Sequence, residues 1–334
     1  MSDATPTCLI VGAGLTGLMA ARMLRARGVD TVILEASDRP GGRLDTRQFA
    51  GGVFDLGAQF LTARDWRFRE VVQSLEEDGL VRPWSKGFPD ARQRFPNDRF
   101  PRLRGLRGLG TVARQLADGL GIRFGSEVKR VSYRGTTWEA VDTEGVEHTG
   151  ASLIVTLPLP AALALIDAGN LELPAMWAGS LRKVSYHPTL AVLAMLDGPA
   201  GLPEPGALQL AREPIDWIAD NHHKGISPRV GAVTVHAAPE FSRVHWSSGD
   251  DKAAEAALDA VSGFLKAKAV ETQVHRWEFG KPVNPLEVLC ASMHQSVPLV
   301  FAGSAFSGGR IEGMALSGLA AADAVASEMK VEAA

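Results

Sequence analysis

Apolar positions open the chain in a strand, helix, strand rhythm. Thr7-Cys8-Leu9-Ile10-Val11 is an apolar run that ends at a glycine turn. Leu15 to Arg27 then has helical periodicity, and Thr31-Val32-Ile33-Leu34 reads as a second buried strand. Beyond Arg43 the pattern turns irregular around Gly51-Gly52, and Asp65 to Gly79 resumes as an amphipathic helix. The Arg-, Pro- and Gly-rich stretch from Arg92 to Arg107 predicts an irregular excursion over the surface. Gly110 to Gly119 reads as a helix. Ile122 to Phe124 and Val128 to Val131 are short strands, Trp138 to Val146 a hairpin, and Leu153 to Leu157 a buried strand. Alternating runs at Leu190 to Leu196 and Val230 to Val235, with a helix at Lys252 to Ala267, predict a mainly antiparallel second sheet. Leu299 to Gly303 closes as a strand, followed by an Ala-rich helix from Glu312 to Lys330.

At 334 residues the chain predicts two domains rather than one. The expected nucleotide-binding domain is discontinuous, residues 1–64, 107–162 and 296–334, and the expected substrate domain takes 65–106 and 163–295. With 35 basic against 38 acidic residues the net charge is −3, which favours neither nucleic acid nor a membrane surface as partner. Cys8 and Cys290 supply neither a disulfide framework nor metal-ligand spacing, so no metal site is expected. The N-terminal residues lack the pattern of a signal peptide, no apolar run is long enough for a bilayer, and a reducing cytoplasm is the expected home.

Gly12-Ala13-Gly14-Leu15-Thr16-Gly17 follows a strand and opens a helix, the context that makes six residues a dinucleotide fingerprint. Gly12 permits the tight turn, Gly14 lets a pyrophosphate approach the backbone, and Gly17 lets helix and sheet pack closely. Free N–H groups at the helix start, from Leu15 and Thr16 onward, favour an anion. Glu35 ends the second strand about twenty residues on, where a carboxylate accepts from both adenosine-ribose hydroxyls. The fingerprint alone does not choose between FAD and NAD.

Two further motifs follow: Gly41-Gly42-Arg43, then Asp55-Leu56-Gly57-Ala58-Gln59. The C-terminal end adds Gly303-Ser304 and Gly308-Gly309-Arg310-Ile311-Glu312-Gly313-Met314. This succession resembles the flavin amine-oxidase superfamily. The resemblance implies an α/β fold with a Rossmann-type FAD-binding domain and a mainly antiparallel substrate domain, like amine oxidases and p-hydroxybenzoate hydroxylase. It implies FAD held non-covalently, with Glu35 and Ala36 at the adenosine end and Gly42 and Arg43 near the diphosphate. Gly57, Ala58 and Gln59 would approach the flavin ring, and Ile311, Glu312, Gly313 and Met314 would open a helix aimed at its N1 and C2 carbonyl. The superfamily usually has an acidic residue after the strand glycine, and Ser304 stands there instead. Val128 falls where the family packs a residue on adenine, and it reads equally as an ordinary strand core valine.

Within the superfamily the chain is most similar to the renalases, through residues 55–62, Val184-Ser185-Tyr186, Asp220-Asn221 with Lys224, the His236 strand, Arg276-Trp277 and the terminal motif. This likeness implies oxidation of 2- or 6-dihydro isomers of NAD(P)H to NAD(P)+, by hydride transfer to flavin N5, with dioxygen reoxidising the flavin to give hydrogen peroxide. Forming an aromatic pyridinium needs no proton removal in the same step, so the residues need only orient the substrate. Gln59, His236 and Trp277 are the candidates. His236 reads equally as a satisfied core histidine, and Trp277 equally as a core ring. Asn221 and Lys224 read as loop stabilisers or as a solvated turn. Six arginines from Arg92 to Arg107, with Asp98 as local counter-charge, read as a solvated loop or as a lure for a substrate pyrophosphate. Two rival functions stand beside this one: a flavin-dependent amine oxidase, and a low-turnover flavoprotein redox sensor.

Overall fold

We obtained a computed structural model of the chain, which describes residues 7–96, 99–293 and 297–330. The chain divides into two compact units. The first comprises residues 1–42, 113–185 and 282–334, and the second residues 43–112 and 186–281.

The first unit is built on a six-stranded sheet. Its order is Cys290–Met293, Leu299–Ala302, Ser152–Val155, Thr7–Val11, Asp30–Glu35, Ile122–Phe124. All neighbours are parallel except the first pair. A central parallel strand is covered on both faces, which is why Thr7–Val11 and Leu299–Ala302 are continuous apolar runs with no alternation. The chain leaves Thr7–Val11 for Asp30–Glu35 on one side and returns on the other as Ser152–Val155. The glycine turn at its carboxyl end therefore stands at a topological switch point, where open α/β sheets take ligands. The helix Leu15–Ala26 lies against the terminal helix Ile311–Glu328, and a Cβ on Gly318 would come within 2.3 Å of Thr16 O. The expected hairpin at Trp138 is part of a three-stranded antiparallel sheet, in which Thr137–Asp142 lies between Val128–Arg134 and Glu147–Gly150.

The second unit carries a five-stranded sheet, ordered Ala207–Arg212, Ile215–Asp220, Ala232–Ala237, Tyr186–Leu196, Ala269–Pro282. Side chains alternate along Tyr186–Leu196. Leu190, Val192, Ala194 and Leu196 pack towards Ala253, Ala254, Ala257 and Val261 of the helix Asp250–Val261. Ala191, Leu193 and Met195 meet Phe54 and Leu56 on the opposite face.

That second contact moves an expected boundary. Residues 43–64, assigned from sequence to the nucleotide domain, cluster with the second unit because Phe54 and Leu56 are buried against its sheet. Residues 163–185 shift the other way. They include the later part of the helix Leu159–Ala168 and the helix Ala175–Arg182, and Trp177 Nε1 donates to Ser292 O at 3.2 Å within the first unit. Residues 282–293 also join that unit, through the strand Cys290–Met293. The expected boundary at 295–296, like Asp98, lies outside the described residues. The surface excursion from Arg92 to Arg107 is regular at one end, where Arg102–Gly105 pairs with Val81–Ser85 as a hairpin.

Candidate cofactor and active site

In the first unit, the glycine turn is held by contacts that explain each glycine. Gly12 has φ +103°, and a Cβ there would approach Thr156 Oγ1 to 2.7 Å. A Cβ on Gly17 would lie 2.0 Å from Gly12 O, so only glycine lets the helix start this close to the strand. Gly14 differs: its backbone is ordinary, with φ −69° and ψ 173°, and a Cβ would meet nothing within 4 Å. The space before Gly14 is open, as a diphosphate cradle requires. Gly41 N donates to Ala13 O at 2.9 Å, which lays Gly41 and Gly42 alongside the turn.

Glu35 ends its strand beside this turn. Its Oε2 accepts from Ala13 N at 2.7 Å, and its Oε1 accepts from Ser37 N at 2.9 Å and Ser37 Oγ at 2.6 Å. Ala36 next to it is exposed. Ser126 N donates to Glu35 O at 2.9 Å, which brings the segment leading to the buried Val128 against the same strand end. Beside the same turn, Thr16 Oγ1 donates to Met314 O at 3.0 Å, tying the start of the first helix to the first turn of the last. Ile311, Glu312, Gly313 and Met314 form that first turn, and Gly303 N donates to Ser317 Oγ at 2.8 Å. Ser304 is buried, and its Oγ has no hydrogen-bond partner among the described residues. An orphaned hydroxyl and an open glycine cradle fit a bound dinucleotide.

In the second unit the chemistry gathers around the turn from Asp55 to Gln59. Ala58 N donates to Arg43 O at 2.8 Å, and a Cβ on Gly57 would lie 2.4 Å from that oxygen, so the Gly-Ala pair rests on the Arg43 backbone. Arg43 Nη1 donates to the carbonyls of Gly280 at 2.9 Å and Phe279 at 3.3 Å, and burial pushes its pKa down. Gln59 is buried. Its Nε2 donates to Asp55 O at 2.8 Å and Gly57 O at 3.2 Å, so the amide braces the turn. His236 Nε2 donates to Leu56 O at 3.0 Å. Burial pulls its pKa from 6.5 to about 4, against the opposing pull of that carbonyl, so the ring is neutral at physiological pH. Trp277 packs against the cluster of Phe54, Leu56 and Leu193, stands edge-on to His275, and has a buried Nε1 without a partner among the described residues. The three side chains named from the sequence thus converge on one turn.

Sequence reasoning missed what lies beneath it. Lys224 and Asp55 are fully buried and paired, Nζ to Oδ2 at 2.6 Å. Lys224 Nζ also reaches Gln59 Oε1 at 3.4 Å and sits 4.8 Å from the Trp84 ring centroid. Asp55 Oδ1 accepts from Thr46 Oγ1 at 2.7 Å and from Leu109 N at 2.8 Å, at the start of the helix Leu109–Ala117. Asn221 Nδ2 donates to Thr234 Oγ1 at 2.9 Å, and that hydroxyl donates to Asp55 O at 3.2 Å. Lys224 and Asn221 are therefore interior groups rather than a solvated turn. The available signal was a carboxylate set between Phe54 and Leu56.

The profile of the flavin-containing amine oxidoreductases matches residues 78–326, and that of an NAD(P)-binding Rossmann-like domain matches residues 10–75. The chain belongs to the flavin-containing amine oxidoreductase family. FAD is this protein's cofactor, and the chain has the Rossmann-plus-antiparallel-sheet fold. Among family relatives, lysine-specific histone demethylase 1 homolog 1 of Arabidopsis thaliana is 47% identical over 62 residues, 17% of this chain and 7% of that protein. Polyamine oxidase 1 of Oryza sativa subsp. japonica is 36% identical over 95 residues, 25% of this chain and 19% of that protein. The matched regions thus span less than a fifth of these relatives. Among solved structures, putrescine oxidase bound to putrescine superposes with a TM-score of 0.69 at 14% identity, covering 95% of this chain and 98% of that one. An Exiguobacterium protein assigned as a protoporphyrinogen oxidase gives 0.70 at 14% identity, covering 98% and 99%. Among the described residues no helix is long and apolar enough to cross a membrane, and no His, Cys, Asp and Glu cluster could hold a metal ion.

Proposed function

We propose that this protein is a renalase-type oxidase that converts 2- or 6-dihydro isomers of NAD(P)H to NAD(P)+. In this reading Gly12, Gly14, Leu15, Thr16, Gly17, Glu35, Ala36 and Val128 hold the adenosine diphosphate end of FAD. Gly42, Arg43, Gly57, Ala58, Gly303, Ser304, Ile311, Glu312, Gly313 and Met314 attend the rest. When bound, FAD accepts a hydride, and its electrons pass to dioxygen to give hydrogen peroxide. Removing the buried hydroxyl in Ser304→Ala is expected to leave the apoprotein melting point unchanged while FAD binds about fivefold more weakly, one lost hydrogen bond, in a fluorescence titration.

The observation that supports this substrate is that, among the described residues around the turn from Asp55 to Gln59, the candidate proton acceptors are already engaged or weak: Asp55 is paired with Lys224, and Asp45 with Arg47 at 2.7 Å. His236 is neutral, its N–H committed to Leu56 O, and a ring held at about 4 is a feeble base. Burial pushes His275 the same way, and Lys224 is spent on Asp55. A dihydropyridine asks for no acceptor: the C–H electron pair leaves as hydride and the ring becomes an aromatic cation. An alkylammonium must first shed a proton. Gln59, His236 and Trp277 then serve by position, the tryptophan as a wall for a flat ring and the two polar groups by fixing the carbonyls of the turn.

Anaerobic mixing of holoenzyme with 2-, 6- and 4-dihydronicotinamide dinucleotides and with amines, putrescine included, tests the reading through bleaching of flavin absorbance. Rapid bleaching by a 2- or 6-dihydro isomer is expected. Bleaching by amines alone would make the protein an amine oxidase, and bleaching by none would leave a redox sensor. The bleaching rate is expected to vary by less than about threefold between pH 7 and 9, since the His236 ring held against the turn is already neutral there. Below that range stability is affected instead. The folded His236 pKa lies below the unfolded one, so its contribution is complete above 6.5 and is lost as pH falls towards about 4.

A further inference from the structure

The hairpin of Val81–Ser85 and Arg102–Gly105 carries charges that neither its pairing nor hydride transfer requires. Arg82 and Arg104 stand directly opposite each other in its register. Both lie on the face away from the buried Val81 and Leu103. Like charges opposed across an antiparallel pair repel. Neither arginine forms an ion pair with a carboxylate among the described residues. Burial and the neighbouring Arg82 charge push the Arg104 pKa down. An anion between the two guanidinium groups would relieve both effects.

The hairpin is also fastened to the proposed nicotinamide end of the site. Leu103 and Leu61 exchange two backbone hydrogen bonds, at 2.8 and 2.9 Å, two residues after Gln59. Arg104 Nη1 donates to Gly225 O at 3.2 Å, one residue after the lysine that touches Gln59. Two residues along the same face, the Arg102 guanidinium lies 5.7 Å from the Phe60 ring centroid. A dinucleotide with its nicotinamide at the turn from Asp55 to Gln59 carries two negative phosphates one ribose away. A guanidinium fork matches phosphate oxygens in two-point hydrogen bonds.

The geometry points to Arg82 and Arg104 as the anion site that grips the pyrophosphate of the substrate dinucleotide. This rests on the dihydronicotinamide reading above. It makes the pair a specificity device: it selects a phosphorylated substrate and leaves the hydride step alone.

The test uses FAD-loaded protein, so that the cofactor's own diphosphate site is filled. In Arg82→Gln, Arg104→Gln and the double variant, KM for the reactive dihydronicotinamide dinucleotide is expected to rise, by about tenfold or more in the double, with kcat held. The salt dependence of kcat/KM is expected to flatten. The same kcat/KM for the phosphate-free 1-methyl-dihydronicotinamide should not change. Inorganic pyrophosphate, titrated calorimetrically, should bind wild type and not the double variant. An unchanged KM overturns the proposal. So does an equal loss with the phosphate-free reductant, which would reduce Arg104 to a brace for Gly225. Turnover of dihydronicotinamide dinucleotide without pyrophosphate binding sinks the anion site alone. Arginine-dependent pyrophosphate binding in a protein that no nicotinamide reduces would sustain the anion site and overturn the proposed substrate.

Discussion

Asp55→Ala is expected to lower folding stability by about 3–5 kcal/mol, the range for removing one partner of a buried ion pair. The loss is large because the carboxylate does three jobs at once. It neutralises Lys224, which has no solvent exposure, at 2.6 Å. It accepts from Thr46 Oγ1, and it accepts from Leu109 N at the start of a helix. Without it, Lys224 is left buried beside the Trp84 ring, with burial and the charge of Arg104 both pressing it to lose its proton. Domains are stable by about 5–15 kcal/mol, so the loss removes a large share of the total. The double variant Asp55→Ala with Lys224→Met should recover part of the loss, because it leaves no unpaired charge. Urea unfolding of all three decides the matter. A single variant within about 1 kcal/mol of wild type would mean that the pair is not the structural keystone described here.

The second large effect separates two glycines three residues apart, Gly14 and Gly17. Gly14→Ala should leave the apoprotein folded with an unchanged melting point, since the backbone there is permissible for alanine and the Cβ meets nothing within 4 Å. FAD affinity should nonetheless fall by about 100-fold, because a methyl group would occupy the surface that a diphosphate must approach. Gly17→Ala should fail earlier, at folding, because its Cβ would be 2.0 Å from Gly12 O, a backbone atom that no side-chain rotation can move aside. Circular dichroism and FAD titration of the two purified variants give the comparison. Tight FAD binding by Gly14→Ala would place the diphosphate elsewhere.

These contrasts follow from how the protein is written in its sequence. The turn from Gly12 to Gly17 and the strand ending at Glu35 were legible because strand, glycines and helix lie within thirty residues and obey local rules. Asp55 and Lys224 are 169 residues apart, and only the fold makes them neighbours. Gln59 was visible as a polar residue after a Gly-Ala pair, but its bonds to Asp55 O and Gly57 O depend on turn geometry that spacing does not encode. The helix Leu159–Ala168 escaped notice because it is apolar on most of its surface and so lacks the polar face that gives periodicity. The strand Ala269–Pro282 was hidden for the opposite reason, since charged Glu271, Arg276 and Glu278 crowd its length. The hairpin strand Arg102–Gly105 reads as loop in the sequence because its arginines outweigh the alternation of Leu103 and Gly105 with polar neighbours.

The parallel pairing of Ser152–Val155 with Leu299–Ala302, and the docking of the first helix on Ile311–Glu328, have a consequence for biosynthesis. The glycine turn is synthesised long before the strand and helix that complete its sheet. Until Leu299–Ala302 emerges, Ser152–Val155 is left as an apolar edge awaiting its neighbour, a segment for chaperones to shield. Cofactor capture then waits for these later elements, and a ribosome stalled before residue 299 would hold a nascent polypeptide that has its phosphate turn but no finished sheet behind it.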